Sequence, residues 1–236
     1  MSAASTPTNA QRMATSPANA QQLAAGTIPT TSSGQRIIRW GISSCGKISS
    51  DFVNAIRHLP DIQIVACAAR SAEEAAAFAN KFGIKRAYGM YMDLAADPEV
   101  DVVYIGSLHP THAAHAKLYL EANKHVLVEK PFAITVKDAA NVFALARARN
   151  LFCMEAMWTR FQPAHVRMRE LLAEGVIGEP RMLHASLGLA MPLDVPRLWM
   201  NVHAGGCALD LGVYTTALAV NVFSNCLLYT SPSPRD

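Results

Sequence analysis

Glu129, Lys130 and Pro131 follow directly on the apolar run from His125 to Val128, which puts a carboxylate and an ammonium where a buried strand opens into a cleft. In a parallel α/β sheet ligands gather at that end of the strands, so the pair suits a ribose hydroxyl and a reacting oxygen. Farther along, Gly205 and Gly206 lead into Asp210 and Tyr214. On a single helix that spacing projects a carboxylate and a phenol from one face. Oxidising an alcohol requires removal of the hydroxyl proton as hydride leaves the carbon, and a phenol does this when an ammonium beside it stabilises the phenolate. Lys130 is the obvious ammonium, and the segment Trp158-Thr159-Arg160-Phe161 offers Trp158 as a wall and Arg160 as a cation for the substrate.

A second set of residues has the pattern of a dinucleotide site. In Ser44-Cys45-Gly46-Lys47-Ile48-Ser49 the G-x-G-x-x-G fingerprint falls on Ser44, Gly46 and Ser49. Only the middle glycine is kept, the one that lets backbone approach a pyrophosphate at a helix N-terminus, while serine is small enough for the outer positions. The next strand ends in Ala69-Arg70-Ser71, where an NAD enzyme places an acid for the ribose 2′-hydroxyl. Arg70 with a hydroxyl beside it suits a 2′-phosphate instead, which points to NADP. A third segment, Gly106-Ser107-Leu108-His109-Pro110-Thr111-His112, supplies a small residue for the nicotinamide side, Thr111 as a cap for the next helix, and His109 or His112 for the wall of the site.

The elements that must position these residues alternate from Arg36 onward, the pattern of a doubly wound parallel sheet of the Rossmann type. Strands are predicted at Ile37–Ser43, Ile62–Ala68, Arg86–Tyr88, Val102–Ile105, His125–Val128 and Leu151–Met154. Helices are predicted at Lys47–His58, Ala72–Phe82 with Gly83 as its stop, Ala113–Ala122 and Val136–Arg149. After residue 155 a second, α+β domain begins, with a helix at Pro163–Ala173, one long strand at Pro180–Ala190 and a helix at Ala208–Phe223. One strand cannot form a sheet that covers its own edges, so this open-sheet domain reads as truncated. Residues 1–35, with Arg12 as their only charge, read as a disordered extension, and 225–236, ending in a Ser-Pro repeat, as a tail foreign to the fold. The division is therefore 1–35, 36–155 for the dinucleotide-binding domain, 156–224 for a partial substrate and dimerisation domain, and 225–236.

Composition narrows the class. About half of the 236 residues are apolar and the net charge is +3, too small and dispersed for a nucleic-acid footprint. The longest apolar runs are strand-sized, which argues against a membrane span. The five cysteines show no C-x-x-C spacing and suit the reducing cytosol, so a cytoplasmic location is expected. His109, His112 and His115 share a spacing of three, but Pro110 parts the first from any helix, and no metal site is expected.

Taken in order, the Ser-Cys-Gly loop, His109-Pro110-Thr111-His112, Glu129-Lys130-Pro131, Glu155-Ala156-Met157-Trp158-Thr159-Arg160-Phe161 and Gly205-Gly206 with Leu211-Gly212-Val213-Tyr214 resemble the glucose-fructose oxidoreductase/inositol dehydrogenase/MocA family over roughly residues 36–223. Most of that family carries His where this chain has Tyr214; with the tyrosine the chain resembles one branch more closely, that of dimeric dihydrodiol dehydrogenase, also known as NADP-dependent D-xylose 1-dehydrogenase. The resemblance implies a Rossmann domain, a C-terminal open-faced sheet used for homodimerisation, and an active site between them. By matching positions, Lys130 binds the substrate hydroxyl, Tyr214 is the acid/base, Asp210 orients both, Glu129 binds cofactor ribose, and the Lys130–Pro131 peptide is cis. The cofactor-binding set is Ser44, Cys45, Gly46, Lys47, Ile48, Arg70, His109, His112, Glu129 and Lys130. The function implied is NADP-dependent transfer of a hydride from a hydroxyl carbon of a small sugar or diol, D-xylose or a trans-dihydrodiol. Two alternatives stay open: a non-catalytic dinucleotide-binding regulator, and an inactive fragment that lacks the family's remaining C-terminal strands.

Overall fold

The computed structural model describes residues 34, 36–192, 194–200 and 203–223; the expected N-terminal extension, apart from Gly34, and the expected foreign tail lie outside them. Six strands, β1 (Ile38–Ser43), β2 (Ile62–Ala68), β3 (Arg86–Tyr88), β4 (Val102–Ile105), β5 (His125–Val128) and β6 (Cys153–Glu155), form one sheet in the order β3-β2-β1-β4-β5-β6. Every pairing is parallel. This is the doubly wound Rossmann arrangement, and its order reverses between β1 and β4, where a crevice opens at the carboxyl ends of the strands.

Burial on both faces explains the nearly unbroken apolar strands. Along β4, Val103 and Ile105 pack with Tyr119, Leu120, Val126, Val128 and Val142 on one face, beneath α3 (Tyr91–Ala96), α4 (His112–Glu121) and α5 (Val136–Ala148). Tyr104 points the other way, to Ile42, Val53, Cys67 and Phe78 beneath α1 (Lys47–Ile56) and α2 (Ala72–Phe82). At the foot of β4 the Asp101 carboxylate accepts two side-chain bonds from Arg39 of β1, at 2.8 and 3.1 Å. Helix ends follow from local chemistry. Ser71 caps α2 by accepting from the Glu74 N–H at 3.2 Å, and Gly83 ends it in the left-handed region at φ 70°. Among the described residues no helix is long and apolar enough to cross a membrane.

Several sequence expectations need correction. Helix α3, the crossover from β3 to β4, was not anticipated. Thr111 stands at the start of α4 but makes no side-chain cap. A short 3-10 turn, His109–Thr111, runs into α4, so Thr111 already has helical backbone (φ −100°, ψ −6°) and its hydroxyl bonds back to Ser107 Oγ and the Leu108 carbonyl. Strand β6 starts two residues later than expected, since the Phe152 N–H is held by His125 Nδ1 at 2.9 Å and pairing begins at Cys153.

Beyond β6 come a 3-10 turn at Trp158–Phe161, α6 (Pro163–Ala173) and α7 (Pro196–Trp199), the last also unexpected. Residues 180–190 are not a strand. A strand exists only by its ladder, and among the described residues none lies beside this segment to bond it. The single helix expected at Ala208–Phe223 is two, α8 (Cys207–Asp210) and α9 (Gly212–Val222). The break has a visible cause: the Asp210 carbonyl, which in an unbroken helix would accept the Tyr214 N–H, instead accepts the Lys130 ammonium at 2.8 Å, while the Tyr214 N–H turns to Leu211 O at 3.0 Å.

Candidate active site

A cleft of about 380 Å³ opens at the switch between β1 and β4. Its wall comes from Ser44, Gly46, Lys47, Ile48 and Asp51 after β1, Gly106 to His109 and His112 after β4, Glu129 and Lys130 after β5, and Asp210 of α8. Each loop owes its path to particular residues. Ser44 sits at φ 76°, the left-handed conformation for which the fingerprint uses glycine. Gly46 starts α1 with no side-chain cap, and a Cβ built there meets nothing within 4 Å. The first-turn amides of α1 thus face open space, an anion-binding arrangement. Ser49, fully buried, lies so close beneath Gly106 that a Cβ on the glycine would fall 2.3 Å from its Oγ. The serine hydroxyl finds no partner among the described residues.

Glu129 is buried, with its Oε1 accepting from the Tyr104 hydroxyl at 2.7 Å and its Oε2 from the Lys130 N–H at 3.1 Å. Burial pushes its carboxyl above the ordinary range, and these two bonds offset part of that. The Lys130–Pro131 peptide is cis. The Lys130 ammonium crosses to the second segment of the chain, donating to the Asp210 carbonyl and, at 3.0 Å, to Asp210 Oδ1. With two protons so engaged it keeps a third. The same nitrogen stands 5.1 Å from the Tyr214 ring centre. Tyr214 in turn accepts a bond from Trp158 Nε1 at 3.1 Å. Asp210 and Tyr214, though on successive helices rather than one, therefore both meet Lys130. The Gly205-Gly206 turn makes this approach possible: a Cβ on Gly205 would lie 2.8 Å from the Leu198 backbone, and Gly206 has φ 132°.

The remaining predicted residues divide. Lys47 reaches Asp51 at 2.8 Å on the exposed rim. Arg70 is exposed at the end of β2, 3.5 Å from Glu74, and is not part of the cleft wall. Nor is the side chain of Cys45, whose sulfur turns to the Ala68 carbonyl. His109 Nε2 bonds the Ala204 carbonyl at 2.9 Å. His112 has both ring nitrogens 2.9 Å from carbonyls, those of Pro131 and Ser107, and burial lowers its pKa. Arg160 lines a separate cavity with Glu155, Val213 and Thr216. Trp158 borders an apolar chamber of about 440 Å³ on the other side of Glu129, with Ile48, Phe52 and Tyr104. Sequence reasoning missed Tyr104, Asp51 and Ser107. Tyr104 reads as one more apolar strand residue, and only its place opposite Glu129 reveals its bond; the helical offset of four from Lys47 was a signal for Asp51. Among the described residues no group of three or more His, Cys, Asp or Glu could hold a metal ion.

Residues 38–157 match the model of an oxidoreductase family with an NAD-binding Rossmann fold, and residues 165–226 that of a GFO/IDH/MocA C-terminal domain. Trans-1,2-dihydrobenzene-1,2-diol dehydrogenase of Danio rerio is 44% identical over 189 residues, which cover 79% of this chain and 56% of that protein. The Homo sapiens protein of the same name is 45% identical over 188 residues, with the same shares. The chain thus spans little more than half the length of these relatives. Among solved structures, KijD10, a 3-ketoreductase from Actinomadura kijaniata in complex with NADP and TDP-benzene, superposes with a TM-score of 0.73 at 32% identity, over 80% of this chain and 58% of that one. An NAD-binding oxidoreductase from Klebsiella pneumoniae gives 0.68 at 27%, over 79% and 53%.

Proposed function

The chain belongs to the GFO/IDH/MocA oxidoreductase family, and on that premise we propose that it is an NADP-dependent dehydrogenase acting on a hydroxyl carbon of a small diol or sugar. The observation that carries this reading is the meeting of Lys130, Asp210 and Tyr214 beside an uncapped helix start. The names of the relatives favour a trans-dihydrodiol over D-xylose.

The residues present fit the cofactor. The open space over Gly46 and the first amides of α1 suit a pyrophosphate, Arg70 a 2′-phosphate, and Glu129 a ribose hydroxyl. When bound, the nicotinamide supplies the hydride acceptor. Lys130 offers its third proton to the substrate oxygen, and Asp210 holds the ammonium in that direction. Tyr214, as the phenolate beside the Lys130 ammonium, takes the hydroxyl proton and returns to the phenol. His112 has both ring nitrogens directed at the carbonyls of Pro131 and Ser107, one of which takes its N–H, and so turns no lone pair to the substrate. Residues 36–155 act as the cofactor domain, and 156–224 belong to a substrate domain through which two copies pair in the cytosol.

The test is a panel of diols and aldoses mixed with NADP and either this chain or a version extended to the relatives' length, monitored by the absorbance of reduced nicotinamide. Reduction with a trans-dihydrodiol or D-xylose is expected. An extended version that binds NADP but reduces none of it would favour the dinucleotide-binding regulator.

A further inference from the structure

We propose that Trp158 is a positioning residue for Tyr214, its indole N–H fixing the phenol oxygen for proton transfer; this rests on the reading of Tyr214 as the base. A phenol hydroxyl has one proton and two lone pairs, and its use as an acid or base depends on where that proton points. Trp158 Nε1 donates to the Tyr214 oxygen at 3.1 Å, with the rings edge to face, their planes 83° apart and their centres 6.4 Å apart. Lys130 makes no such bond: it lies over the ring face and hands two protons to Asp210. Among the described residues, therefore, the indole is the donor that touches the reacting oxygen. It claims one lone pair, keeps the hydroxyl proton in the remaining directions, and stays in place when that proton leaves.

Two features argue against a merely packing indole. Trp158 is 55% exposed, so its ring contributes little core. It is also carried on a turn fastened to the end of β5 by the Ala156 N–H to Val128 O bond at 2.7 Å, directly before Glu129. The bond to Tyr214 thus joins the sheet that bears Glu129 and Lys130 to the helix that bears the phenol. A substrate wall alone would not need the N–H.

The experiment uses the 236-residue chain with isotope-labelled indole nitrogens. Trp158→Phe identifies the Trp158 N–H resonance, and Tyr214→Phe is expected to move it; an unmoved resonance overturns the proposal. In kinetics, Trp158→Phe keeps the wall and loses the donor. Turnover is expected to fall roughly tenfold, the value of one hydrogen bond, with KM for NADP and substrate nearly unchanged. Trp158→His, which restores an N–H, should recover part of the loss. Unchanged turnover, or a change confined to KM, overturns the proposal and leaves Trp158 as a wall. Should the resonance move while neither this chain nor an extended version turns over, the bond stands and the role falls with the reading of Tyr214 as base.

Discussion

Lys130 donates to both the main-chain and side-chain oxygens of Asp210, and this pair of hydrogen bonds to one residue sets the direction of its last proton. If Tyr214 takes the hydroxyl proton with Lys130 holding the oxygen, Tyr214→Phe should cost on the order of 10²–10⁴ in turnover and leave NADP binding nearly intact. Lys130→Met should cost a similar factor, and the double variant should lose little more than either, because both act on one proton transfer. Arg70, exposed and only loosely engaged by Glu74, is available to a phosphate. Arg70→Ala should weaken NADP by roughly 1.5–3 kcal/mol and NAD hardly at all, as measured by titration of each dinucleotide. Glu129 gives a pH signature. Its carboxyl is raised by burial, so as pH falls it takes up a proton earlier than an exposed glutamate would and loses the charge with which it accepts from a ribose hydroxyl. NADP affinity should therefore begin to fall at a pH above the ordinary value of 4.5. In Glu129→Gln the affinity should be lower throughout and flat across that window.

At the scale of elements, the cleft depends on how closely α1 approaches the end of β4. Ser49 on the helix and Gly106 after the strand leave no room for a methyl group between them, and Tyr104 closes the other side, 2.9 Å from the same Cβ position. Gly106→Ala should therefore push α1 away and destabilise the fold by about 1–3 kcal/mol, the usual cost of overpacking. It should also weaken cofactor binding, since the first-turn amides move with the helix. Chemical denaturation and dinucleotide titration of the same variant check both. The second close approach, Gly205 against the Leu198 backbone, sets the turn that presents α8.

Across the described residues of the molecule, backbone hydrogen bonding is uneven. The parallel sheet is wrapped on both faces, whereas residues 180–192 donate no backbone hydrogen bond to any described residue. Amide hydrogen exchange should reflect this, with strong protection along β1, β4 and β5 and rapid exchange through 180–192 in the same sample. Protection of that segment comparable to the sheet would show that it has a partner. The Lys130–Asp210 bridge and the His109 bond to Ala204 link the well-wrapped half to the sparser one.

The strands and most helices of residues 36–155 were legible in the sequence because each is a local pattern: an apolar run buried on both faces, a cap such as Ser71 and a stop such as Gly83. The turn at Gly46 was legible as a strand-to-helix connection because the strand before it and the helix after it are both local patterns. What only the tertiary structure decided is contact between distant groups. Tyr104 looks like any strand residue until β5 brings Glu129 alongside it. Asp210 and Tyr214 have the spacing of a single helix, and the break between them appears only once Lys130, eighty positions earlier, takes the Asp210 carbonyl. The stretch 180–190 has the composition of a strand, but composition cannot supply the neighbour whose hydrogen bonds would make it one. Periodicity and caps act over a few residues, whereas ladders and charge pairs need a partner that folding alone brings near.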